Sequence, residues 1–326
     1  MNPIQKMHRF TTVMLLGTVS ILLAAGLMVF LIDPANRFGN NRFGVYYWAE
    51  REFKEAAVHR YPHDAVFLAN SKLSAVNPER LPEFTWMNFA IGGGSLEDLV
   101  GYADTYVHNQ QVCVLGLDFW MFHEHFPPPS PLYRPPPFKK WAGQYLFGSH
   151  SLAMIWRTLT ASASHRSPTI LPEGYVNPEI FQEQASRVDG DRTEHWRGWF
   201  QHFFLENYVY STRRMAMLRN LRDEMERRQV ALVVFLHPQH EQVLDWLRDP
   251  AIATDLARFN QDIRAIFPDV IDLTDGKFSD PARYYSGDFL HYHPSTAVEM
   301  FEEAILPAAR ESLEGPSALQ QTKAGQ

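Results

Sequence analysis

The chain has 326 residues, 45% hydrophobic and 21% charged, enough to bury one large core in one or two domains. A formal net charge of −7 leaves no basic footprint and argues against a nucleic-acid partner. The single cysteine, Cys113, excludes an intrachain disulfide and, inside the apolar run QVCVLGL, reads as a small core residue.

Residues 10–32, FTTVMLLGTVSILLAAGLMVFLI, carry no charge, and 23 helical residues span a bilayer core with some tilt. They predict a transmembrane anchor behind a short cytoplasmic N-terminus at 1–9. A cleaved signal peptide is the competing reading; its apolar block usually runs to only about 7–15 residues. Lys6, His8 and Arg9 precede the run and Asp33 follows it, so the positive-inside rule puts the body of the chain on the far side of the membrane.

Residues 33–63 read as a juxtamembrane segment: a turn with Pro34 and Gly39, then the charged, helix-compatible VYYWAEREFKEAAVH. In DAVFLANS, residues 64–71, a buried strand rises into a small-polar turn. A serine at the C-terminal end of a parallel strand sits where open α/β sheets bind ligands, which makes Ser71 a candidate nucleophile. Equally, Ser71 reads as the cap of a following helix. Next come the strand-like FTWMNFAI, the cluster Gly92-Gly93-Gly94-Ser95 and a predicted helix at 96–107. Such a cluster lets backbone N–H groups approach a ligand; a plain tight turn is the alternative. The run QVCVLGLD predicts another strand buried on both faces, ending at Asp118.

The stretch FPPPSPLYRPPPF, residues 126–138, holds seven prolines and is neither helix nor central strand. It belongs to an insertion over about 124–200. His123, Glu124 and His125 stand together without further ligands at metal-binding spacing, and read as rim or substrate-contact residues. Periodicity returns in a helix over 207–229, the strand VALVVFLHP ending at His237, a helix over 241–267 interrupted at Pro250, and the strand DVIDLT. In DFLHYHP, Asp288 and His291 stand three apart just before a helix starting near Pro294, so one turn can set carboxylate beside imidazole. An aspartate accepting the Nδ1 proton fixes the tautomer of a base that deprotonates a serine.

Taken together, these blocks resemble the SGNH (GDSL-like) hydrolase superfamily. LANS is similar to the family's first block, with Ser71 as nucleophile, although Ala69 and Asn70 replace its usual glycine and aspartate. NFAIGGGS resembles the second block and points to Gly93 for the oxyanion hole. LGLD resembles the third, with Asp118 standing where the family's asparagine donates. DFLH resembles the last, giving Asp288 and His291, with His293 as fallback base. Asn70, His237 and His293 are candidate substrate contacts.

The resemblance implies a three-layer α/β sandwich around a mainly parallel, flavodoxin-like sheet at 64–312. The remaining residues, 313–326, read as a disordered tail, since Ser317 to Gln326 is polar and without periodicity. It implies serine ester chemistry with no cofactor and no metal. The anchored layout also resembles envelope proteins related to the alginate O-acetylation factors. That implies an inner-membrane, single-pass protein with a periplasmic globular domain, an acylated glycan as substrate and a membrane-bound O-acyltransferase as a partner. The departure at Asp118 matters, because an ionised carboxylate repels an oxyanion and one donor there is worth roughly 3–4 kcal/mol of barrier. Either Asp118 is protonated, or the hole is made by the backbone of Ser71 and Gly93, or the fold is catalytically silent and binds glycan or scaffolds an export complex. Beside the enzyme and the silent fold stands a general α/β domain whose serine and histidine never meet.

Overall fold

The computed structural model describes residues 2–125, 145–171, 173–186 and 208–323, with isolated positions at 143, 194, 197, 198, 200–202 and 206. The proline-rich loop expected at 126–138 and the last three residues lie outside the described residues. The chain divides into two compact units, Met1–Ala57 with Pro135–Leu171, and Val58–Arg134 with Pro172–Gln326. Half of the expected insertion thus groups with the N-terminal apolar helix and the segment that follows it.

In the first unit, helix α1 (Pro3–Ile32) starts ahead of the apolar run. Asn2 caps it in a reciprocal capping box with Gln5, and Pro3 fits the first turn, where its missing N–H costs nothing. It is long and apolar enough to cross a membrane. Asp33 ends it in the left-handed region at φ 46° and is itself fully buried. Its carboxylate accepts from the N–H groups of Arg37 and Phe38 at 2.7 Å and of Asn40 at 3.2 Å, and from the Tyr145 hydroxyl at 3.0 Å. One side chain therefore folds the juxtamembrane turn and ties it to the segment leading into a later helix of the same unit. Helix α2 (Glu50–Ala57) buries Phe53 and Lys54, the lysine pairing with Glu50 one turn back at 3.2 Å.

The second unit is built on a five-stranded, all-parallel sheet in the order β2-β1-β3-β4-β5. Its strands are β1 (Ala65–Leu68), β2 (Trp86–Asn88), β3 (Val112–Leu117), β4 (Ala231–Leu236) and β5 (Ile271–Asp272). Every residue of β1, β2 and β3 is buried; β1 and β3 are continuously apolar, as strands covered on both faces require, while β2 ends in the buried, hydrogen-bonded Asn88. The helices, in chain order, are α3 (Leu96–Tyr106), α4 (Ser149–Ala163, in the first unit), α5 (Pro178–Ser186), α6 (Thr212–Arg227), α7 (Glu241–Leu247), α8 (Pro250–Ile266), α9 (Pro294–Met300) and α10 (Leu306–Lys323). Pro250 does interrupt the helix read at 241–267, and Asp249 caps the new start.

One turn of π-helix, Phe301–Ile305, joins α9 to α10, and Phe301 and Ile305 pack with Phe67, Val114 and Phe235 in the core. Helix α10 continues to Lys323, into the segment whose polar composition reads as a disordered tail; alanine, leucine and glutamine there are good helix formers.

The strand order reverses between β1 and β3, the point at which parallel sheets open a crevice at their C-terminal ends. The loop leaving β1 at this point is held from β2. Asn88, fully buried, aims Nδ2 at the carbonyls of Leu73 (3.1 Å), Ser74 (3.3 Å) and Val76 (2.9 Å), while its Oδ1 accepts from Ala90 N at 2.9 Å. Replacing Asn88 by alanine leaves those buried carbonyls unsatisfied. The detergent-solubilised full chain is expected to lose about 1–3 kcal/mol, read as a fall in its thermal unfolding midpoint. An unchanged midpoint would deny Asn88 this role.

Candidate active site

Four strand ends converge on the C-terminal edge of the sheet. Ser71 follows β1 in a short 3-10 turn, Gly93 follows β2, Asp118 directly follows β3 and His237 directly follows β4. Asn70 caps the Ser71 turn, its Oδ1 accepting from Lys72 N at 3.0 Å. Ser71 is the first residue of that turn rather than its cap, and its side chain is left for other work.

The partner of Ser71 comes from the far end of the chain. Tyr284 and Tyr292 form an antiparallel bridge that closes a loop over 285–291. Within it, Asp288 N donates to Tyr285 O at 2.9 Å across a turn whose third residue, Gly287, has φ 72°. A type II turn demands glycine there. Phe289, buried, anchors the loop by an edge-on contact with Trp246 at 5.1 Å. The Asp288 carboxylate accepts from the N–H groups of Leu290 (2.8 Å) and His291 (3.0 Å), and its other oxygen meets His291 Nδ1 at 2.7 Å. His291 Nε2 lies 2.8 Å from Ser71 Oγ. Ser71, His291 and Asp288 thus form one hydrogen-bonded row. Burial pushes the Asp288 carboxyl up, but the His291 ring and the three hydrogen bonds outweigh it and hold it below the usual carboxylate range.

Asp118 is in a different state from the one an oxyanion donor needs. It is 1% exposed and accepts from Lys72 Nζ at 2.8 Å, Gln239 Nε2 at 2.8 Å and Asn70 Nδ2 at 2.5 Å. Burial alone would raise its pKa, but the Lys72 charge and these hydrogen bonds lower it, so Asp118 is an ionised acceptor with no proton to give. Lys72, also buried, sits 4.3 Å from the Trp120 ring centre and donates to Gln239 Oε1 at 3.1 Å. Asn70, a candidate substrate contact in the sequence, is buried with both ends of its amide engaged by the protein itself.

His237 is fully buried and bonded through Nδ1 to the Tyr292 hydroxyl at 2.9 Å. Burial drives its pKa down to about 3, so it is neutral. His293, the fallback base, is not the ring on Ser71; it caps α9 and packs against Tyr285 at 4.4 Å. It does line a cavity of about 260 Å³ with Tyr285, Tyr175, Arg80 and Asn77, and Ala75 of the loop following Ser71 contributes to the wall. Gly93 is exposed at φ 63° with open space where a Cβ would be, in the turn before α3. Ile91 N donates to Ala69 O at 3.0 Å, keeping this glycine turn beside the Ser71 loop. His123 and His125 stand with rings 5.9 Å apart; His123 is buried.

Sequence reasoning missed Lys72, Gln239 and Asn88. The signal for Lys72 was a lone cation in a small-polar turn directly after a buried strand, opposite an acid ending the neighbouring strand. Compared with known proteins, the chain matches no family model and no curated protein.

The neutral, buried His237 sets a pH dependence. Between about 3 and its unfolded value of about 6.5 the unfolded chain binds a proton that the folded chain does not, so stability falls as pH drops through that window. Asp118 and Asp288, both lowered on folding, add a further loss once pH falls below about 4. Unfolding midpoints measured from pH 7 to pH 3 should decline from about pH 6.5, and His237→Gln should flatten the upper part of that decline.

Proposed function

We propose that this chain is a membrane-anchored serine esterase or O-acyltransferase of the SGNH type, acting on acyl esters of an envelope or exported polysaccharide. The observation that carries this reading is the unbroken row from Ser71 Oγ through the His291 ring to the Asp288 carboxylate. The order of the blocks supports the family: the serine after β1, the glycine turn after β2, the acid after β3 and D-x-x-H before the C-terminal helices. The parallel sheet in the order β2-β1-β3-β4-β5 is compatible with the three-layer sandwich that the family implies.

His291 Nε2 takes the hydroxyl proton as Ser71 Oγ attacks the ester carbonyl, and Asp288 holds Nδ1–H so that the imidazolium is stabilised where it forms. The N–H groups of Ser71 and Gly93 face the tetrahedral oxyanion, since ionised Asp118 cannot. Collapse breaks the bond to the alcohol, which leaves with the proton from His291, and the acyl group stays on Oγ. Water gives hydrolysis and a sugar hydroxyl gives transfer, with His291 again as base. The cavity lined by Tyr175, Tyr285 and Arg80 receives the sugar. Helix α1 holds the body at an inner membrane, on its periplasmic side, where a membrane-bound O-acyltransferase is the natural partner.

One observation favours a second reading, a silent fold that binds glycan or scaffolds acylation: a carboxylate neutralised by Lys72 stands where the family's hole has a donor. Two measurements separate them. A fluorophosphonate probe should label wild type and not Ser71→Ala, and Ser71→Ala should lower kcat/KM on a chromogenic acetyl ester by about 10³-fold or more. Turnover that survives in Ser71→Ala sinks the enzyme reading, and glycan binding with no labelling of wild type supports the silent one.

A further inference from the structure

Five large hydrophobic side chains outside α1 are exposed among the described residues, and three of them fall within ten residues: Phe147 (47%), Leu152 (42%) and Trp156 (71%). All three belong to the first unit, on or just before α4. Leu152 and Trp156 are one turn apart and share a helix face, while Met154, Ile155 and Thr158 on the other side are buried. The outward apolar face therefore is not the one that holds α4 in its unit.

Its placement beside α1 says what covers it. A Cβ built on Gly26 of α1 would come within 2.6 Å of the Phe147 ring, so the residues entering α4 lie directly on that helix. Gly26 is six residues before Ile32, or about 9 Å down the helix axis at 1.5 Å per residue. The bond from Tyr145 to Asp33 and the contacts of Phe38 with Phe30 (5.0 Å) and with Tyr145 (5.8 Å) lock this arrangement at the exit of α1. Between Tyr145 and Leu171 the sequence has Arg157, Arg166, His150 and His165 and no acidic residue. His150 is paired with Glu52 of α2 at 3.3 Å; an exposed tryptophan and leucine on one face, with Arg157 beside them and no acid within the helix, form the composition of a helix that rests in a lipid headgroup layer.

We infer that α4 is a membrane-surface helix: Leu152 and Trp156 insert into the boundary of the bilayer that α1 enters, with Arg157 among the headgroups. The inference rests on α1 being a membrane span, but not on any activity of Ser71. Its effect is to make the first unit a two-point mount, one helix through the bilayer and one lying on it.

The only cysteine, Cys113, is buried, so single-cysteine variants of the full chain take one nitroxide each. Leu152→Cys and Trp156→Cys, labelled and reconstituted in phosphatidylcholine–phosphatidylglycerol vesicles, should collide with oxygen more than with a water-soluble nickel chelate, at a depth of about 5–10 Å. Leu16→Cys marks the middle of α1 and Asp269→Cys, on the exposed surface of the other unit, marks water. Labels at 152 and 156 that behave like the one at 269, while 16 is in lipid, overturn the inference alone. A label at 16 that behaves like water overturns the span beneath it as well.

Discussion

An ammonium and a carboxylate can be buried together only if each satisfies the other and every remaining lone pair finds a donor. Lys72 and Asp118 meet that condition at 2.8 Å, with Asn70, Gln239 and the Trp120 ring completing the shell. The pair joins the turn after β1 to the end of β3, and Gln239 extends the tie to the segment after β4. Ser71 stands between two residues of this network, Asn70 and Lys72, so its backbone is fixed by electrostatics that would be costly to break. Removing one member of such a pair strands the other's charge, a loss of about 3–5 kcal/mol. The position of the serine is therefore a consequence of a charge pair that does not itself touch the hydroxyl.

The same pair accounts for the most unusual chemical feature of the site. A protonated aspartate would offer a hydrogen bond, but Lys72 keeps Asp118 ionised and turns it into an acceptor. In the proposed reaction the oxyanion is therefore left to backbone amides, among them that of Gly93 in its open left-handed turn. The positive charge of Lys72, the residue next to Ser71, also offsets the field of Asp118 and Asp288. Behind this layer, neutral His237 and Tyr292 fill the space beneath the sheet edge without adding charge.

Much of this arrangement was legible in the residues. Continuous apolar runs ending in polar or small residues located β1, β3 and β4, because strands covered on both faces cannot carry polar side chains midway. Pro250 announced the break between α7 and α8, and the three-residue spacing of Asp288 and His291 foretold their contact. What the residues concealed was pairing over distance. Lys72 reads as a surface cation until the parallel register brings Leu68 level with Leu115, which sets the turn after one beside the acid after the other. His237 and Asn70 look like rim residues until burial is known, since a polar residue at a strand end is equally suited to solvent and to an internal hydrogen bond. The division of the insertion was hidden for a similar reason: Tyr145 is one more aromatic until its hydroxyl is found on Asp33.

The loop closed by Tyr284 and Tyr292 brings His291 to a serine 220 positions earlier, and this separation has a kinetic meaning. Contacts between residues so remote in sequence raise contact order and form late, after more local helices and strand pairs have condensed. A ribosome delivers the β1 turn long before the D-x-x-H loop exists, so a nascent chain carries Ser71 without its histidine throughout elongation. The contact is completed only when the last helices dock, which ties the row of Ser71, His291 and Asp288 to the finished fold.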